Sequence, residues 1–291
     1  MKPAPFEYHA ASSLDEATEL LSRFGDEAKV IAGGQSLMPL LGFRLARPAH
    51  LVDVNGIDAL AKIGAADGGL SLGAMVRQRA AERSALVRER CPLLAAALPW
   101  IGHPAIRNRG TIGGSLAHAD PAAELPAVAV ALDATLVARS TRGERQISAS
   151  EFFAGHFTTA LAPDECLVEI RFPAWPGGAG ATFEEVSRRH GDFAMVGVAA
   201  VVRSGAAGDV ADARIVLTGV GGTPVRAHEA EALLRGARSG REAFEAAAER
   251  AARDLEPPSD LHATRAYRRH VARVLVRRAL ERAAARTGSS R

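Results

Sequence analysis

Residues 32–55 read AGGQSLMPLLGFRLARPAHLVDVN, and residues 109–126, about 75 residues later, read RGTIGGSLAHADPAAELP. Each stretch carries one glycine pair, Gly33-Gly34 and Gly113-Gly114. The first pair follows the apolar run Ala28–Ala32, which reads as a short buried strand. The second lies in the polar, glycine-rich segment Arg107–Ser115, which reads as a loop. A diphosphate group needs backbone N–H groups aimed at it, and glycine removes the Cβ that would block the approach. Hydroxyls at Ser36, Thr111 and Ser115 can add hydrogen bonds. Neither pair fits G-x-G-x-x-G, and no G-x-x-x-x-G-K-S/T loop is present. A lone Gly-Gly is also what a tight turn requires.

Working outward, Ser13 and Glu16 form an S-x-x-E signature at the head of a helix over 13–24, and Gly25 is its natural stop. Strands follow at Ala28–Ala32 and Leu51–Val54. A second unit opens with a strand at Leu70–Gly73, followed by helical runs at Arg77–Arg90 and Pro92–Trp100. Beyond the second glycine pair, Pro121 can open a helix reaching about Leu132. Thr135–Arg139 and Glu144–Ile147 read as a hairpin, and Leu167–Phe172 alternates like a half-exposed strand. Pro173–Ala181 is the best linker. After it come strands at 182–188, 194–203 and 211–218, then helices at 226–235, 239–254 and 262–286. These signals divide the chain into lobes at 1–57, 58–175 and 180–287.

Composition narrows the function. With 291 residues, the chain exceeds what one core usually supports, so several lobes are expected. No apolar stretch is long enough for a membrane span, and the first residues lack the apolar run of a secretory signal, so a cytoplasmic location is expected. The 2 cysteines, Cys91 and Cys166, cannot build an iron–sulfur cluster or a clustered zinc site. His103, His118, His156 and His190 are scattered. His118 and Asp120 could form an acid–base pair but are assigned no catalysis. Eight arginines between Arg265 and Arg286 accompany Glu281 alone. Val271, Val274, Leu275 and Ala279 recur among them at helical spacing, so a helix with one buried stripe and an arginine-covered solvent face is expected. A nucleic-acid-binding surface is the other reading of that segment.

The two motifs together, with SRRHGDFAMVGVA at residues 187–199, resemble the medium subunit of the xanthine dehydrogenase and carbon monoxide dehydrogenase (molybdenum hydroxylase) family along nearly the whole chain. The resemblance implies an α+β architecture. A bipartite FAD-binding domain of two α/β lobes, of the vanillyl-alcohol-oxidase (PCMH-like) type, would precede a C-terminal α+β flavoprotein domain. It implies FAD as cofactor. Lys29, Val30, Ile31, Ala32, Gly33, Gly34, Gln35 and Ser36 match the first FAD-binding loop, where backbone amides meet the diphosphate. Thr111, Ile112, Gly113, Gly114 and Ser115 match the second. Glu124 matches an acidic residue on the ribose or adenine side, although a first-turn carboxylate also suits a helix dipole. Ile101 matches an apolar position beside the isoalloxazine ring. Leu161 and Leu167 match apolar positions of the adenine or flavin pocket, and Phe193 matches an aromatic against the flavin. At Glu184 several relatives carry a basic residue that reaches the flavin. Here the charge is reversed, and Glu185 stands beside it.

By the same resemblance, the chain moves electrons and leaves the organic substrate to others. Its partners would be a large molybdenum-cofactor subunit and a small subunit with 2Fe-2S clusters, assembled as a dimer of heterotrimers. The external acceptor would be NAD, a quinone, a carrier protein or oxygen. The alternatives are a free-standing flavin-dependent oxidoreductase and an arginine-rich nucleic-acid-binding module.

Overall fold

The computed structural model describes residues 2–288. The first lobe comprises β1 (Glu7–Ala10), α1 (Leu14–Phe24), β2 (Ala28–Ile31), α2 (Leu37–Gly42) and β3 (His50–Asp53). Its three strands are parallel in the order β1-β3-β2. Ser13 caps α1, its hydroxyl accepting from the Glu16 N–H at 3.1 Å. Glu16 does not close the capping box on Ser13. Its carboxylate accepts instead from the N–H and hydroxyl of Ser12, at 2.8 and 2.7 Å.

The second lobe contains β4 (Ile63–Ala66), β5 (Gly69–Gly73), α3 (Gln78–Arg83), α4 (Ala85–Arg90), α5 (Pro92–Ala97), α6 (Pro104–Arg109), α7 (Ile112–His118) and α8 (Glu124–Ala131). It continues with β6 (Thr135–Ser140), β7 (Gly143–Ser148), α9 (Ala149–Phe152), β8 (Phe153–Gly155), β9 (Thr158–Thr159) and β10 (Cys166–Phe172). Five strands form an antiparallel sheet, β4-β5-β10-β6-β7. The helix expected across 77–90 is two helices. Ser84 is extended, and its hydroxyl caps α4 at the Val87 N–H.

Two readings are corrected here. Arg107–Ser115 is not a loop but the end of α6 and the start of α7, broken only at Gly110-Thr111. Glycine inside a helix costs up to about 1 kcal/mol, which is what made the segment read as a loop. Thr111 offsets part of that cost by capping: its Oγ accepts from the Gly114 N–H at 3.0 Å. A Cβ on Gly113 would lie 2.7 Å from Ala74 Cα, so only glycine lets α7 start this close to the end of β5. The second correction concerns β10, which is central and largely buried. Cys166 and Val168 join the core beneath α1, with Ala17 and Leu21, whereas Leu167 and Ile170 join the core of the second lobe. The face that seemed free is covered by the first lobe.

The third lobe is a four-stranded antiparallel sheet of β11 (Ala179–Val186), β12 (Val196–Ser204), β13 (Val210–Thr218) and β14 (Val225–Arg226). α10 (His228–Leu234), α11 (Arg241–Arg253) and α12 (Arg265–Ala285) follow. Val196, Val198, Ala200 and Val202 pack under these helices, while Ala181, Phe183, Ala199 and Val201 pack into the second lobe's core. The buried stripe of α12 includes Val271, Leu275, Val276, Ala279, Leu280 and Ala283. Several of its outer arginines are paired: Arg269 with Glu256, Arg273 with Glu249, Arg277 with Glu281. Arg268, against expectation, is buried and donates to the carbonyls of Met195 and Gly219 and to Asp260. Among the described residues, no helix is long and apolar enough to cross a membrane.

A Cβ on Gly180 would collide with the Ala283 carbonyl and lie 2.8 Å from the backbone of Arg286 and Thr287. Gly180→Ala is expected to destabilise the protein by about 2 kcal/mol or more, because rigid backbone must move. Gly42→Ala, with nothing within 4 Å of its Cβ, is the matched control and lowers stability little or not at all. Thermal melts of the two variants check the contrast.

Candidate functional site

The two glycine motifs touch. A Cβ on Gly33 would strike the Arg109 carbonyl and lie 2.8 Å from Gly110 Cα. A Cβ on Gly114 would lie 3.6 Å from Ala32 Cβ. Gly34 has φ 74°, so the turn after β2 needs glycine for its conformation too. The juxtaposition is tied by side chains that the sequence reading did not single out. The Arg77 guanidinium donates to the Arg109 carbonyl and, at 2.7 Å, to Asn55 Oδ1. Asn55 Nδ2 donates to the Ala32 carbonyl at 2.8 Å and to Asp53 Oδ1 at 2.6 Å. In the sequence Asn55 was only a strand terminator, and Arg77 carried no signal.

Hydrogen-bonding capacity differs between the two motifs. The N–H groups of Gly33, Gly34, Gln35 and Ser36 donate to no protein acceptor among the described residues. Those of Ile112, Gly113, Gly114 and Ser115 are already used, donating to the Val76 carbonyl, the Ala74 carbonyl, Thr111 Oγ and the Thr111 carbonyl. The expectation that both motifs offer free amides is therefore corrected. The first turn offers amides. The second offers close backbone approach and the hydroxyls of Thr111 and Ser115. Lys29 is exposed, and Val30 and Ile31 are half-buried in β2.

Ile101, Ile112, Leu161 and Leu167 belong to one cluster, with Leu161 at its edge. Ile101 is held by a buried residue the sequence did not flag, Arg107. Its guanidinium donates to the carbonyls of Ile101 and Gly102 at 2.8 and 3.2 Å, and it pairs with Glu82 at 3.0 Å. The loop over residues 187–193 lies against this corner. Gly191, at φ 89°, has no room for a Cβ, which would fall 2.8 Å from the Gly102 carbonyl. Phe193 ends that loop and is 58% exposed, so it is not a core aromatic.

The carboxylates sort themselves by strand parity. Glu184 does not face the glycine turns. It lies on the helix-covered face of β11, paired with Arg282 of α12, so the site assignment made from the sequence falls on the wrong side of the strand. Glu185 lies on the opposite face, with Phe183, toward the second lobe. It is buried, and neither carboxylate oxygen has a hydrogen-bond partner among the described residues. Burial, then the neighbouring charge of Glu124, pushes its pKa up to about 8. Burial likewise pushes Glu124, the first residue of α8, up to about 7. Thr218 of β13 fixes this join, its hydroxyl reaching the carbonyls of Pro121 and Ala123 at 2.7 and 2.9 Å.

The set suits a dinucleotide: free amides for phosphate oxygens, buried aliphatic side chains for a ring system, and the unpartnered Glu185 carboxyl for a sugar hydroxyl or ring N–H group. Nothing in it is a nucleophile–base pair. Cys91 and Cys166 are buried thiols pushed up to about 12 by desolvation. A polar depression of about 560 Å³ between α1 and the β6–β7 hairpin includes none of these residues.

A carboxyl whose folded-state pKa lies above its ordinary 4.5 keeps its proton in the folded protein after the unfolded chain has lost it. The contribution of Glu185 to the stability of the cofactor-free protein is therefore fully present below that ordinary value and is lost as pH rises to about 8. Glu185→Gln removes this loss. We expect the melting temperature of the flavin-free variant to exceed wild type by several degrees at about pH 8.5 and to match it near pH 5. Equal melting temperatures at both pH values would mean that Glu185 is ionised and partnered.

Residues 4–175 match the family described as the FAD binding domain in molybdopterin dehydrogenase, and residues 181–283 match the CO dehydrogenase flavoprotein C-terminal domain. The chain is 46% identical to the 6-hydroxypseudooxynicotine dehydrogenase complex subunit alpha of Paenarthrobacter nicotinovorans, over 97% of this chain and 96% of that one. It superposes on carbon monoxide dehydrogenase from Hydrogenophaga pseudoflava with a TM-score of 0.96 and 42% identity, covering 99% and 100% of the two chains. Quinoline 2-oxidoreductase from Pseudomonas putida 86 gives 0.94 and 39%, covering 100% of both. The chain thus belongs to the FAD-binding medium subunits of molybdenum hydroxylases, the family of the xanthine dehydrogenase and carbon monoxide dehydrogenase flavoprotein subunits.

Proposed function

We propose that this chain takes electrons from the 2Fe-2S clusters of a small partner subunit and passes them through its FAD to an external acceptor, while a large molybdenum-cofactor subunit handles the substrate. The observation that carries the reading is the contact between the two glycine turns, the first of which keeps its amides free. Bound FAD accepts electrons singly and delivers them in pairs. The protein contributes position and electrostatics. The amides of Gly33–Ser36 bind the diphosphate, Ser115 adds a hydroxyl, and Ile101, Leu161 and Leu167 exclude water from one side. Phe193, exposed at the end of its loop, would cover the flavin. Glu124 and Glu185 accept hydrogen bonds from the cofactor's donors and hold negative charge or a proton beside it. A carboxylate there opposes any gain of negative charge on the flavin.

Three features favour an electron-transfer subunit over a free-standing oxidoreductase. The two cysteines are far too few to ligate clusters, so these residues need a partner for that task. Among the described residues, neither glycine turn carries a nucleophile–base pair. The similar proteins are named for 6-hydroxypseudooxynicotine, carbon monoxide and quinoline. One architecture behind such different substrates fits a subunit that handles electrons only. Met38, Phe43 and Leu45, all exposed, follow the first glycine turn and offer an apolar surface to a partner. The nucleic-acid reading loses its footing because several arginines of α12 are held in ion pairs.

The purified chain is expected to bind about one FAD, and Gly33→Ala, which forces the turns apart, to weaken that binding at least about tenfold. Flavin fluorescence titration measures this, with circular dichroism to confirm folding. In the assembled complex, stopped-flow absorbance should show the flavin bleaching after the iron–sulfur bands. Substrate turnover by the flavin-loaded single chain would overturn the proposal.

A further inference from the structure

The outer edge of the first lobe holds a second cluster that the flavin does not use. Glu7 and His9 lie two apart on β1 and so share a face of the strand. His50 on β3 stands directly opposite Glu7 in the parallel register. His9 Nε2 lies 3.1 Å from His50 Nδ1, His50 Nδ1 lies 3.3 Å from a Glu7 carboxylate oxygen, and that oxygen lies 3.9 Å from His9 Nε2.

We propose that Glu7, His9 and His50 form a binding site for a single divalent transition-metal ion, with zinc as the best match. Ligand atoms about 2.0–2.1 Å from a tetrahedral zinc ion lie about 3.3–3.4 Å apart, and the three separations bracket that value. All three atoms can offer a lone pair, and they lie within 4.8 Å of one another. A single proton between them can satisfy one contact, whereas one cation satisfies all three. Two imidazoles and a carboxylate form a donor set suited to zinc. The rings are held for the task. Phe24 stacks on His50 with centroids 3.6 Å apart and planes 12° apart, and on His9 at 5.2 Å and 28°. Glu7 is 72% exposed at its side chain, so the fourth position opens to water. A bound ion would cross-link β1 to β3 and stiffen the edge of the parallel sheet. The inference does not depend on the electron-transfer reading.

The test uses the full-length, tag-free, flavin-loaded protein, stripped with a chelator and titrated with zinc chloride by calorimetry. We expect about one zinc per chain with a dissociation constant in the micromolar range. His9→Gln and His50→Gln should each weaken binding at least about tenfold, as should Glu7→Gln, whose exposed position carries no folding role. Cobalt chloride should give visible d–d absorption that these variants lose. Unchanged flavin content in each variant confirms that the fold is intact. Absence of zinc binding at about 100 μM, or equal affinity in His9→Gln and wild type, would overturn the site.

Discussion

One backbone contact governs the architecture. Gly33 lies against Arg109 and Gly110 with no space for a methyl group, so two segments distant in sequence meet without side chains between them. Other features serve that approach. The first lobe's parallel sheet carries the Gly33 turn, and α7 begins at the other side of the contact. Arg77 and Asn55 bridge the two, each bonded to a backbone carbonyl of one motif. Lobe packing supplies the remaining constraint, since α1 and its lobe cover the sheet face of which Cys166 and Val168 are part.

The fold was readable wherever local chemistry decided it. The Ser13 cap, the Thr135–Ile147 hairpin and the run of strands then helices in the third lobe follow from turn residues and periodicity, and the structure contains each. Long-range packing was not readable. Glycines that marked Arg107–Ser115 as a loop instead start a helix, and Gly113 is needed there because Ala74, just after β5, leaves no room for a Cβ. Alternation in β10 suggested a solvent face that a different lobe covers. The positions of the candidate site were legible through two long motifs, yet their roles were not uniform. Only the first turn keeps its amides free, a distinction set by Val76 and Ala74 accepting from α7.

The acidic residues show the limit most clearly. Glu184 and Glu185 are neighbours in sequence but opposite in the pleat, and a one-residue difference sends one to Arg282 and the other toward the second lobe and Glu124. Sequence reading chose Glu184. Strand parity, seen only once β11 is paired with β12, selects Glu185. Its two unpartnered oxygens lie near Glu124 and make this join acidic.

The account stands on a single diphosphate held between the two turns. A crystal structure of the FAD-loaded protein measures this directly. It should show diphosphate oxygens within about 3 Å of the amides of Gly33, Gly34, Gln35 or Ser36, with the Ser115 hydroxyl close to the same group. A diphosphate bound elsewhere, with those amides facing only solvent, would contradict it.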